Sequence, residues 1–291
     1  MINIKIRIKN EEKDINPLND FLFSKLFGEK GCDKETLYII NTFTGKKFKS
    51  LNYEPNEIKG EHKDNKKSIT DVLVTTNDGT VVNIEVQLAK QENFHKRSHF
   101  YNAKISSILL KVGQNYDKLP MTIMINILNF TLWEEIEDYH TTFKPTEIKH
   151  KTHTIKDVME IHYIELLKFR KKVKKGNIDL NNPIVRIVLF LDEKTPQELI
   201  EKVIEMDEFA KTICEKSTHI LQDQKEYLAY IRAEQNELDQ KAMIKYAKKK
   251  GRKEGREEEK VEVAIKLKKL DFPIEQISEV TGMSITKIKE I

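Results

Sequence analysis

Cysteine is nearly absent. Cys32 and Cys214 are the only two in 291 residues, far apart and in no CxxC spacing. That argues against a structural zinc site and against a disulfide framework, and makes a reduced cytoplasm the default setting. Arginine is scarce as well. Only seven of the 51 basic residues are Arg, so the net charge of +4 reflects a general lysine bias. Such a charge permits an anionic partner without selecting one. No apolar run approaches the length of a membrane span. The opening stretch MINIKIRIKNEEK alternates Ile with Lys or Arg and has no apolar centre, which speaks against a signal peptide. A short edge strand or a disordered arm is expected there. Gly-rich phosphate loops and internal repeats are also missing.

What is present is a hairpin with an unusual face. SITDVLVTTNDGTVVNIEVQLAK reads as two strands around a tight turn. Asn77-Asp78-Gly79 fits a three-residue loop, a type I turn followed by a glycine in the left-handed region. Thr76 then pairs with Thr80. Counting outward, Asp71 lies opposite Glu85, and Gln87 sits one pleat further along the same face. Val72, Val74, Val82, Ile84, Val86 and Leu88 fall on the other face. Like charges directly opposite each other destabilise a sheet, so a cation between them is one reading. Hard oxygen ligands on a hairpin suit Mg²⁺ or Mn²⁺ better than zinc. A solvated face on which two acids happen to land is the other, and the hairpin alone leaves both open. A two-residue turn would send Asp71 and Glu85 to opposite faces.

Around the hairpin the chain reads as alternating helices and strands. Residues 17 to 28 form a short helix after Pro17, closed by Gly28. Asp33 caps a second helix, with Leu37, Ile40 and Phe43 at helical spacing, ending at Gly45. A short strand near residues 54 to 58 precedes a Lys- and Asn-rich loop over 59 to 67. A long helix is predicted from about Glu92 to Tyr116, with Phe94, Ile105, Ile108, Leu109 and Val112 on its apolar side. MTIMINILNF after Pro120 has the pattern of a buried strand. DYHTTFK and VMEIHYIEL read as strands, and Pro183 opens another apolar segment, IVRIVLFL. From Pro196 helix dominates to about residue 260. KKKGRKEGREEEK, broken by Gly251 and Gly255, is a solvated helix or a joint. In the last stretch Pro273 starts a helix, Gly282 turns the chain and Ser284 caps a short final helix. Ile277, Val280, Gly282, Ile285 and Ile288 have spacing similar to a helix-turn-helix. The final helix is barely two turns and carries Lys287, Lys289 and Glu290, which fits a small packing unit better than direct DNA reading. His95 with His99, and His150 with His153, lack the further ligands that zinc needs and read as structural or surface residues.

Several fragments occur together in a telling order: NDFLFSKLFG, TDVLV with its DG turn, NIEVQ, FHKRSHFYNAKI, GQNYDKLP and IHYIELLKF. From about Asn16 to Phe190 the chain resembles the recombination-promoting nuclease / putative transposase family, a branch of the PD-(D/E)XK nucleases. The resemblance implies an α/β, restriction-endonuclease-like core, a mixed central sheet flanked by helices, with a helical C-terminal extension. The expected division is a nuclease domain over residues 1–195 and a helical region over 196–291. It also implies metal-dependent hydrolysis of DNA phosphodiesters, with Mg²⁺ or Mn²⁺ as cofactor and DNA as partner. Asp71 and Glu85 match the family's acidic pair. Gln87 stands where many of the wider superfamily have Lys, as this branch commonly does. Asp20 matches an acidic residue of the first helix motif, and Arg97 and Tyr101 match an RxxxY pattern.

On this reading Asp71 and Glu85 hold the metal, with the Val86 backbone carbonyl as a further ligand. Asp20 either completes the shell or caps its helix. Gln87 orients the attacking water. A neutral amide cannot be a general base, so hydroxide or a substrate phosphate oxygen takes that role. Arg97, Tyr101 and Lys104 share one helical stripe and would touch DNA phosphates, and Arg97 could also brace Glu85. An ordinary surface stripe is the plainer alternative. The chain is thus read as a cytoplasmic, at most nucleoid-associated DNA endonuclease of recombination or mobile elements, with no membrane role. The alternatives are a catalytically weak DNA-binding protein on the same fold, or a homodimer through the helical C-terminal region.

Overall fold

A computed structural model describes residues 4–8, 11–55, 57–58, 68–69, 71–110 and 113–291. The alternating N-terminus forms a two-stranded antiparallel hairpin, β1 (Ile4–Ile8) with β2 (Glu11–Ile15). Helix α1 (Asp20–Phe27) follows. Asn19 caps it, accepting from the Phe21 and Leu22 N–H groups, and Gly28 closes it. The cap is thus the residue before Asp20, which removes the capping role considered for Asp20. Helix α2 (Asp33–Thr44) ends at Gly45 in the left-handed conformation. Asp33 does not cap it. Its carboxylate accepts from the Gly31 N–H, because the cap position falls on Cys32.

Then come β3 (Leu51–Tyr53), a small ladder of β4 (Glu57–Ile58) with β5 (Ser68–Ile69), and the main hairpin of β6 (Val72–Thr76) and β7 (Val81–Gln87). The loop expected over residues 59–67 lies outside the described residues, as does Val112. Helix α3 (Phe94–Leu109) is shorter than predicted. The chain becomes extended at Leu110, ahead of Gly113 in a left-handed conformation that does not continue a helix. Ile108, expected on the apolar side, is exposed. Strands β8 (Thr122–Leu128), β9 (His140–Phe143) and β10 (Met159–Glu165) complete the sheet. Helices α4 (Leu166–Lys174) and α5 (Pro183–Leu191) follow; the IVRIVLFL segment is this second helix, started by the Asn182 cap with Pro at its first position.

The six-stranded sheet runs β3-β6-β7-β8-β10-β9. β7, β8 and β10 are parallel, and the outer neighbours are antiparallel. A parallel step needs a crossover, and α3 supplies it between β7 and β8. Both faces of the sheet are covered. Val72, Val74, Val82, Ile84 and Val86, continued by Ile123, Ile125 and Ile127, meet α1, α2 and α5 in the main core. On the other face Leu73, Val81, Met124, Leu128 and Tyr163 meet Phe94, Tyr101 and Ile105 of α3. This explains why every residue of β8 is buried, as its continuous apolar run predicts.

Beyond residue 195, α6 (Gln197–Met206) and α7 (Glu208–Gln222) put Ile200, Val203, Phe209 and Ile213 into the main core. Helix α8 (Gln224–Lys269) is continuous through Gly251 and Gly255. Its first turns belong to the compact unit that ends at Glu234; Gln235–Ile291 forms a second unit. There α9 (Ile274–Thr281) and α10 (Ile285–Glu290) are joined at Gly282, and Ser284 caps α10 through the Lys287 N–H. Its core is Ala264, Ile277, Met283 and Ile288. Val280 and Ile285, which helix-turn-helix spacing would bury, are exposed.

Candidate functional site

The hairpin register fixes the site. Val72 pairs with Ile84, Leu73 with Asn83, Val74 with Val82 and Thr75 with Val81. The Thr76 N–H donates to the Thr80 carbonyl at 2.9 Å, and Gly79 turns the chain at φ 88°. Asp78 locks the turn by accepting from the Thr76 hydroxyl and the Thr80 N–H. The same register, extended by one residue, sets Asp71 across from Glu85. Asp71 lies at a bend immediately before β6. Its Oδ2 accepts the Val86 N–H at 2.7 Å. The N–H and C=O of one strand residue point the same way, so the Val86 carbonyl is turned toward the Asp71 edge too. Gly28 backs this corner: a Cβ there would stand 3.3 Å from the Asp71 carbonyl oxygen and 3.0 Å from that of Ser24.

Covering by α3 changes the nature of the acid face. Glu85 is buried, and among the described residues its Oε2 has no hydrogen-bond partner. Its Oε1 accepts from the Arg97 guanidinium at 3.1 Å. Burial, reinforced by the Asp71 charge and opposed by Arg97, pushes the Glu85 carboxyl up to about 8. Burial also raises Asp71, to about 6. The Val86 N–H works against that shift, the Asp20 charge adds to it, and Arg97 again opposes it. Two acids that resist ionising together would be stabilised by a further positive charge beside them.

Arg97 is held from several sides. Its Nη1 donates to Gln91 Oε1 at 2.6 Å and to Gln87 Oε1 at 3.4 Å, and its guanidinium lies 5.1 Å from the Tyr101 ring centre. Gln87 Nε2 donates to the Ala89 carbonyl. Tyr101 is buried under Arg97, so it does not stand out on a surface stripe, while Lys104 is half-buried a turn further along. Ser98 ties α3 to the sheet through Asn126, which pairs with Glu85 on the neighbouring strand. Gln91 is the partner the sequence did not disclose. It lies in the irregular link between β7 and α3, where no periodicity marks a side chain's direction.

The donor set fits a hard divalent cation: two carboxylates, one oxygen without a hydrogen bond, and a backbone carbonyl at the same edge. Among the described residues no group of three or more His, Cys, Asp or Glu side chains is clustered for a metal. Asp20 therefore reaches Asp71 through its charge, while the exposed His95 and His99 belong to no such group, and His150 instead pairs with Glu147. No helix of the described residues is long and apolar enough to cross a membrane.

The family model described as PD-(D/E)XK nuclease family transposase matches residues 17–247, which include every site residue above. No curated protein and no solved structure matches the chain.

Proposed function

The chain belongs to the PD-(D/E)XK nuclease family transposases, and from that premise we propose that it is a metal-dependent DNA endonuclease of recombination or mobile elements. Its fold, a mixed sheet between helices, is the restriction-endonuclease-like one. The observation that carries the proposal is the half-buried Asp71 set across from the buried Glu85 by the hairpin register, with Glu85 Oε2 lacking a hydrogen bond among the described residues.

Asp71, Glu85 and the Val86 carbonyl would hold Mg²⁺ or Mn²⁺. Bound there, the ion supplies Lewis-acid polarisation of the scissile phosphate and lowers the pKa of water. Glu85 would have to be ionised to hold the ion, and a cation there would offset the burial and the Asp71 charge that hold its carboxyl high. Arg97 keeps Glu85 aimed and offers the guanidinium as a counter-charge to the phosphate in the transition state. Gln87 uses one amide hydrogen and one carbonyl lone pair within the chain, so one of each stays available to orient the attacking water. Because Gln87 is neutral, the charge that a lysine would contribute here falls to Arg97. Asp20 adds negative charge behind Asp71.

Nicking of supercoiled plasmid tests the reading. The wild-type chain nicks with Mg²⁺ and not with chelator, while Asp71→Ala and Glu85→Ala lose activity. Wild-type rates from both variants would refute it. A weakly active DNA-binding protein on the same fold is the second reading, favoured by the neutral Gln87. It predicts tight duplex binding with no nicking in either metal.

A further inference from the structure

By sequence alone the charge run of α8 reads as a solvated helix or a joint. Its distribution around the helix axis says more. Lys245, Lys248, Lys249, Arg252, Lys253 and Arg256 follow the spacing i, i+3, i+4, i+7, i+8 and i+11. At 3.6 residues per turn they fall within about 140° of the circumference and extend over roughly 17 Å of axis. All six are exposed. Among the described residues, none of the six has a carboxylate within ion-pair distance. The acid of this stretch, Glu254, lies on the far side, where it pairs with Lys250 at 3.7 Å.

Such a helix works against itself. Lys245 with Lys249, Lys248 with Arg252, Lys249 with Lys253 and Arg252 with Arg256 are like charges at i,i+4, which destabilise a helix by about as much as an ion pair there stabilises it. Gly251 and Gly255 add a conformational cost, and neither serves a close approach, since a Cβ at either would meet nothing within 4 Å. The apolar residues near the run do not form a seam that would compensate. Leu238, Met243, Ile244 and Tyr246 are exposed and point to different sides of the helix. The far side, with Lys250, Glu254 and Glu258, is no membrane-inserting face either. What neutralises a one-sided, regularly spaced row of cations is a polyanion whose charges are also regularly spaced.

We infer that the Lys245–Arg256 face of α8 is a second nucleic-acid contact, separate from the acid pair, which grips the phosphates of duplex DNA without reading base sequence. The choice of DNA among polyanions rests on the proposed function. The face itself needs neither metal nor cleavage, so its failure and that of the nuclease reading are distinguishable.

The test is fluorescence anisotropy of a labelled duplex with the full chain in chelator, over a series of KCl concentrations. Each lost phosphate contact flattens the slope of log affinity against log salt by about 0.9. A variant carrying Lys248→Gln, Lys249→Gln, Arg252→Gln and Lys253→Gln is expected to flatten it by roughly three to four such steps' worth of charge, and to weaken binding equally for unrelated sequences. A charge-matched control, with Lys149, Lys151, Lys156 and Lys175 changed to Gln, keeps the wild-type slope. So does a variant that exchanges Lys and Arg at the four α8 positions. If the fourfold variant does not fold, Lys249→Gln and Arg252→Gln singly should each flatten the slope by about one contact. The inference is overturned by an unchanged slope in the Gln variants, by equal flattening in the control, or by loss of binding in the Lys/Arg exchange. It is equally overturned if anionic vesicles displace the duplex as well as unlabelled DNA does.

Discussion

Arg97 is the residue on which the acid pair turns. Its guanidinium donates to Glu85 at 3.1 Å, and Gln91 sets its angle by accepting from it at 2.6 Å. Arg97→Ala is expected to lower nicking by about 10²–10³-fold, the usual effect of removing one aimed charge donor. It should also move the rise of activity with pH to a higher value, because Glu85 loses the group that opposes its protonation. A pH–rate profile of the variant checks both. A lysine would restore charge without the fork that serves Gln91 and Glu85 together, so Arg97→Lys should recover only part of the rate. The pair also predicts how stability depends on pH. In the folded, metal-free chain Asp71 sits at about 6 and Glu85 at about 8, above their unfolded values. Their contribution to stability is therefore complete below the unfolded values and is lost as pH rises through about 6 and then about 8. On the proposed reading a divalent cation would bind the ionised pair, so Mg²⁺ should raise the melting temperature more at about pH 9 than at about pH 5. An equal rise at both values would mean the ion sits elsewhere.

At the scale of elements, the hairpin is the piece whose local code is complete. Gly79 has φ 88°, where a side chain is strained. Gly79→Ala should cost about 1–2 kcal/mol in urea unfolding, while nicking per folded molecule holds, because the Thr76–Thr80 pairing does not depend on that side chain. Asn77-Asp78-Gly79 made the facing of Asp71 and Glu85 legible from the sequence, since a turn type fixes a register. α3 was legible as a helix but not in its effect. Phe94, Tyr101 and Ile105 mark its buried side without saying which face of which sheet they cover. The acid face therefore read as open or metal-bound, when the covering helix is what buries Glu85. Gln91 and the cap at Asn19 escaped for a related reason: both belong to links, where neighbours are chosen by the tertiary fold.

The larger of the two units, which ends at Glu234, is closed by a contact between distant segments. The start of α8 returns to the N-terminal region, where the Tyr230 hydroxyl accepts the Asn16 N–H at 3.1 Å and donates to Glu234 at 2.9 Å. Asn19 Nδ2 reaches the Tyr230 carbonyl. Tyr230→Phe leaves the buried Asn16 N–H without its acceptor and should cost about 1–3 kcal/mol. A chain cut after residue 240 keeps these bonds and should melt near the full chain's first unit; one cut after residue 222 should melt clearly lower, as circular dichroism would report. The arrangement around Glu85 reaches to this scale as well. Once Asp71 and Glu85 are both ionised, they and Asp20 outnumber Arg97, and on the proposed reading the metal-free site would repel a phosphodiester. A dication held there would cancel that repulsion and let the backbone approach. On that reading binding would be ordered, cation first and nucleic acid second, and a scarcity of free magnesium would act as a brake on cutting built into these side chains.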